Sequence, residues 1–216
     1  MKRIFICLVC LTLGVSGVRG QYSRQEQSFL LGINAGYLYP TGDMGKILKN
    51  GMGGNLSMKY LINEVIGIGF EGGYYKFKSK IGKESASTEQ NYKARLIPAL
   101  LEATFYIPTW NRAALPYLGI QFGAYVTNIS VSQKSVYDPY GSSLSKKMFM
   151  LSPGAGLHVG GLFQLPSERW YIDLRVRADY VPDVDNEYDV DEFTKGNIGF
   201  DKMLNIGANI GLLYRF

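Results

Sequence analysis

Between Trp170 and Tyr180 every second residue is apolar (Trp170, Ile172, Leu174, Val176, Ala178, Tyr180), while Asp173, Arg175, Arg177 and Asp179 between them are charged. A two-residue period is that of a β-strand, whose successive side chains point to opposite faces. Four charges on one face and an unbroken apolar row on the other demand two different surroundings. The alternation returns in seven more runs, beginning at Leu31, Leu56, Ile66, Ile97, Leu118, Ala155 and Leu204. In each, one set of side chains is apolar and the other small or polar. Pro98 weakens the fourth run locally, because proline cannot donate to a ladder.

A water-soluble sandwich also alternates, with its apolar face inward. Three features favour a cylinder in lipid. The polar set is dominated by Gly, Asn and Ser rather than Lys and Glu, as a crowded interior requires, in a chain holding 26 glycines. Aromatics stand at strand ends, at Tyr37, Tyr39, Tyr60, Tyr74, Trp170, Tyr180, Tyr214 and Phe216, where a membrane barrel carries its two interfacial girdles. Connections alternate in length. Ile62–Val65, Pro108–Leu115 and Gln164–Arg169 are brief, whereas Pro40–Gly51, Lys78–Asn91, Asn128–Lys146 and Pro182–Asn197 are long and polar. The expected fold is all-β: a closed antiparallel up-and-down transmembrane barrel of eight strands from about Phe29 to Phe216. Closure leaves no unpaired edge in lipid, where each open backbone group would cost several kcal/mol.

The first twenty residues read as a signal peptide. Lys2 and Arg3 precede an apolar run from Ile4 to Val18, and Val18 and Gly20 occupy the small-residue positions before Gln21. Fifteen apolar residues fall short of the ~20 needed for a spanning helix. Cleavage there would leave residues 21–28 as a short periplasmic segment. It would also remove Cys7 and Cys10, the only cysteines, and with them disulfide and thiolate-zinc chemistry. Losing Lys2, Arg3 and Arg19 takes 23 basic residues to 20 against 18 acidic ones, so the formal charge falls from +5 to +2. Nothing in that balance points to nucleic acid.

An eight-stranded barrel is just wide enough for its own side chains, so an open pore is not expected. Strand parity turns Lys59, Glu71, Glu102, His158, Asp173, Arg175, Arg177 and Asp179 inward. Buried charges are tolerable when paired and hydrogen-bonded. Arg175 and Arg177 are therefore expected to face Glu71, Glu102, Asp173 or Asp179, as a structural salt-bridge plug rather than an ion path. His158 is expected to be a buried, hydrogen-bonded histidine, since catalysis on lipid would need it at the rim beside a hydroxyl and an acid. There is no Gly-x-Ser-x-Gly elbow or His-Glu-x-x-His helix. No catalytic, cofactor or metal residue is assigned. The acidic stretch Asp183, Asp185, Glu187, Asp189, Asp191 and Glu192 lacks the spacing of an EF-hand and reads as a solvated loop, with weak divalent-cation binding as its functional variant. Lys76, Lys78, Lys80 and Lys83 crowd the mouth of the second long loop, within reach of lipopolysaccharide phosphates.

At the C-terminus, Asn209, Gly211, Tyr214 and Phe216 resemble the terminal β-signal of outer-membrane barrels, which implies recognition by the barrel-assembly machinery of a Gram-negative host. Gly36–Asp43, Pro116–Gly119 and Pro153–Gly156 echo the outer-membrane β-barrel family common in Bacteroidota, in the broad OmpA/OmpX-like group, and the likeness covers residues 29–216. That resemblance implies a bacterial outer-membrane location, with outer-membrane lipids and lipopolysaccharide as partners, and a structural or surface-interaction role without catalysis. A secretion-apparatus accessory similar to PorT-like barrels, or a lipid A-modifying enzyme, are the competing readings.

Overall fold

The computed structural model describes residues 28–79, 82–85, 88–109, 113–135, 144–167, 169–182 and 202–216. The expected signal peptide, the segment 21–27 and the acidic stretch 183–192 lie outside these residues. Eight long strands follow one another: β1 Ser28–Thr41, β2 Leu48–Leu61, β3 Ile66–Ser79, β4 Thr88–Tyr106, β5 Ala114–Ser135, β6 Leu144–Gln164, β7 Trp170–Pro182 and β8 Lys202–Arg215. Each pairs antiparallel with the next, and β8 pairs with β1, so the sheet closes on itself. No described helix is long and apolar enough to cross a membrane.

The register sets the shape of the cylinder. Stepping sideways from Phe149 on β6 leads through Asn128, Arg95, Lys76, Met52, Tyr37, Ala208 and Val176, and returns to β6 at Val159. The circuit closes from position 149 to position 159, ten residues along one strand. With about 3.3 Å per residue and about 4.8 Å between strands, this stagger tilts the strands by about 41°. One residue along a strand then climbs ~2.5 Å, and one step sideways ~3.1 Å.

Parity falls as the alternation predicts. Ile33, Leu157 and Ile210 are 62%, 60% and 57% exposed, whereas Asn34, His158 and Asn209 beside them are buried. Most exposed aromatics gather in two belts, while Phe70 and Phe122 lie between them and Phe149 beyond the loop end. Tyr37, Tyr39, Tyr74 and Tyr180 mark the loop end; Phe29, Tyr60, Phe163, Trp170 and Phe216 mark the turn end. Their mean heights differ by roughly 22 Å, close to the ~25 Å apolar band of outer-membrane barrels.

Short connections close the turn end. In the first, Asn63 Oδ1 accepts from the backbone N–H groups of Val65 at 2.9 Å and Ile66 at 2.7 Å. Pro98 lies inside β4 and breaks the ladder to β3 between Gly72–Ala99 and Tyr75–Leu96. Its ring is received by Gly73, where a Cβ would stand 3.1 Å from Pro98 Cγ.

Three of the four long connections differ from expectation. Pro40–Gly51 contains a helical turn, α1 (Gly42–Ile47), entered through Gly42 at φ 67 and followed at once by β2. Lys78–Asn91 contains a four-residue strand, Gly82–Ser85, paired with β4. Most of Asn128–Lys146 is strand as well, because β5 runs on to Ser135 and β6 begins at Leu144. Backbone pairing depends on main-chain groups alone, so it continues past the stretch where apolar alternation reveals it.

Candidate functional site

Neighbouring strands aim their inward polar side chains at one level of the lumen, and all eight ionisable residues expected there are buried. On β7, Arg175 and Arg177 are two residues apart and share the inward face. Arg175 donates to Glu71 on β3 at 2.6 Å and to Glu102 on β4 at 3.4 Å. Arg177 donates to Glu71, and grips Asp179 with Nε at 2.9 Å and Nη2 at 3.0 Å. Lys59 on β2 stands 3.0 Å from Glu102 and 4.8 Å from the centroid of the Tyr117 ring. Gln121 on β5 donates to Asp179, and Tyr117 donates to Asp173 at 2.5 Å. Glu71 thus bridges two arginines, and Glu102 bridges an arginine and a lysine. Such pairing from all sides is what makes buried charge tolerable.

A second, neutral chain of hydrogen bonds lies beside it. Asn34 donates to Asn55 at 2.6 Å and to Ser57 at 3.2 Å, and Tyr75 accepts from Asn55 at 3.1 Å and from Asn209 at 3.2 Å. Asn209 of the C-terminal motif therefore belongs to the lumen. Gly211 leaves room for Asn34, since a Cβ there would lie 1.7 Å from its Oδ1. Tyr214 and Phe216 instead join an outward aromatic cluster. Their ring centroids are 4.8 Å apart, and Tyr214 lies 5.0 Å from Trp170.

His158 departs from expectation. It is buried, but neither ring nitrogen has a protein hydrogen-bond partner. Its ring meets Tyr117 edge-on at 5.8 Å and lies over Gly119, where a Cβ would stand 2.1 Å from Nε2. Packing against an aromatic and a glycine holds it, and it sits deep inside rather than at the rim. Gly119→Ala must displace this imidazole, and should lower stability by ~1–3 kcal/mol as an overpacked site does. Urea unfolding in lipid vesicles checks it; an unchanged midpoint would show a lumen loose enough to absorb the methyl.

Alternation alone did not reveal the apolar layers above and below the charges. Toward the loop end, Leu38, Met44, Phe77, Leu96, Leu100 and Met203 form a buried cluster with Tyr75 and Tyr125, and Met44 of α1 belongs to it. Toward the turn end, Leu30, Leu61, Leu162 and Leu213 pack with Tyr106, Tyr117 and Tyr171. Parity applied to the ends of each run would have found Leu38, Tyr75 and Leu213; the inward direction of Met44 depends on the helical turn. Among the described residues no group of three or more His, Cys, Asp or Glu could hold a metal ion. Lys80 and the side chain of Lys83 lie outside the described residues, while Lys76 and Lys78 are exposed on β3.

Residues 7–216 match the family model of the outer membrane protein beta-barrel domain. No curated protein matches the chain. Among solved structures, Neisserial surface protein A superposes with a TM-score of 0.53 at 19% identity, covering 88% of this chain and 100% of that one. Ail, the attachment invasion locus protein of Yersinia pestis, gives 0.50 at 19% identity over 89% and 100%. OprG from Pseudomonas aeruginosa gives 0.50 at 14% identity over 88% and 96%. At those identities the likeness is one of fold. The family match covers nearly the whole chain and agrees with the closed cylinder and its two aromatic belts: this chain belongs to the outer membrane β-barrel domain family and resides in the bacterial outer membrane.

Proposed function

We propose that the protein is a non-enzymatic surface platform, closed to diffusion, that anchors a β-ribbon outside the cell. The length of β5 and β6 carries this reading. They span 22 and 21 residues and stay paired from Ala114–Phe163 to Gln133–Leu144, where ~9–11 residues suffice to cross the membrane. About half of each strand then projects beyond the loop-end belt, on the extracellular side where such barrels carry their longer loops. Side chains across the lumen support closure: the charged level lies between two buried apolar clusters. A display role needs a rigid base rather than a pore, and paired charges fill the base. Planar-bilayer recording and vesicle swelling test the reading. The expected result is no steady conductance and no sugar permeation; a stable open channel in the full-length barrel would overturn it.

A further inference from the structure

On three adjacent strands the outward side chains turn basic just past the loop-end aromatic belt. Lys49 on β2, Lys76 and Lys78 on β3, and Lys93 and Arg95 on β4 are all exposed. Lys76 and Arg95 stand directly opposite across the β3–β4 ladder, and Lys78 and Lys93 follow on the same face. Like charges opposed on one face of a sheet destabilise it. No carboxylate stands on the described outward faces of β2, β3 or β4. Among the described residues nothing on this face compensates them, and an anion supplied from the membrane surface would.

Height identifies its source. By the register, these cations lie roughly 4 to 12 Å beyond the mean height of the belt formed by Tyr37, Tyr39, Tyr74 and Tyr180. That is the headgroup layer, since the hydrocarbon core is ~30 Å thick and the bilayer ~40–45 Å with its polar regions. Lys76 Nζ lies 5.6 Å from the centroid of the Tyr74 ring, so its stem lies along the interfacial aromatic while its charge stays in the polar layer. Directly below, Met52, Tyr74 and Ile97 present exposed apolar surface. Cations over an apolar strip match a phosphorylated head over acyl chains.

We propose that the outward face of β2–β4 binds a phosphorylated lipid of the outer leaflet, with its phosphates on Lys76, Lys78, Lys93 and Arg95 and its acyl chains against Met52, Tyr74 and Ile97. The site depends on the seating of the barrel in the membrane, not on closure of the lumen, so permeation through the barrel would leave it standing.

The test uses the full-length barrel in detergent, offered bisphosphorylated lipid A or the same lipid stripped of phosphate, with retained lipid read by native mass spectrometry. Wild type should retain the phosphorylated form preferentially. The double variant Lys76→Gln/Arg95→Gln should hold it at least tenfold more weakly, about fivefold for each cation near a charged surface. Adding Lys78→Gln and Lys93→Gln should abolish the preference. All four positions are exposed, and circular dichroism verifies the fold of each variant. Lys202→Gln, an exposed position on β8, should change nothing. Undiminished retention by the quadruple variant, equal retention of the stripped lipid by wild type, or full displacement by inorganic phosphate would each overturn the proposal.

Discussion

Replacing Arg177 by leucine should lower the unfolding free energy of the barrel by ~3–5 kcal/mol, the cost of breaking a buried ion pair by removing one partner. Arg177 is 1% exposed and serves two carboxylates, Glu71 and Asp179, both fully buried. Its loss leaves Asp179 with the amide of Gln121, and Glu71 with Arg175 alone. Urea unfolding in lipid vesicles, followed by the gel shift between folded and unfolded barrel, reads the change. Adding Asp179→Asn should recover part of it, because the amide leaves no uncompensated charge on that side. A single-variant loss below ~1 kcal/mol would mean that water enters the lumen and solvates the carboxylates, contrary to their observed burial.

On the opposite face of the same strand, Val176→Arg should cost ~2–4 kcal/mol, as lipid-facing arginine does near the bilayer midplane. Val176 is 52% exposed and stands near mid-height between the two aromatic belts. Tyr180→Arg, four residues along on the same face and within the loop-end belt, should cost only ~0–1 kcal/mol, because a long cation there reaches the polar layer. The depth dependence is the diagnostic. Equal costs at both positions would show that this face does not lie in hydrocarbon.

The two substitutions probe adjacent side chains, and their difference shows what was readable in advance. Parity along a strand is local: once Val176 is outward, Arg175 and Arg177 are inward. The same rule turned Lys59, Glu71, Glu102, His158, Asp173 and Asp179 to the lumen without any knowledge of their neighbours. It also restricted Arg175 and Arg177 to four carboxylates, and they bind three of them, Glu71, Glu102 and Asp179. Asp173 is taken by Tyr117 instead. His158 is buried as its parity requires, but the expected hydrogen bond is absent among the described residues, because a two-residue period reports which way a side chain points, not what it meets. Meeting Tyr117 and Gly119 depends on how β5 is staggered against β6. The full extent of β5 and β6 is not legible in the chain, because backbone pairing runs on to Gln133–Leu144 whether or not the side chains keep a regular apolar alternation.

By itself, then, the chain decided the period, the two faces, the strand number and the medium each face meets, because all of these follow from the chemistry of residues two positions apart. Only closure of the sheet decided the partners. A stagger of ten residues around the circuit sets the heights at which distant strands meet. It brings Glu71 level with two arginines more than a hundred residues away in sequence, and Lys76 opposite Arg95 at the edge of the lipid. Hydrogen bonding around a ring is a global constraint, and no window along the chain contains it.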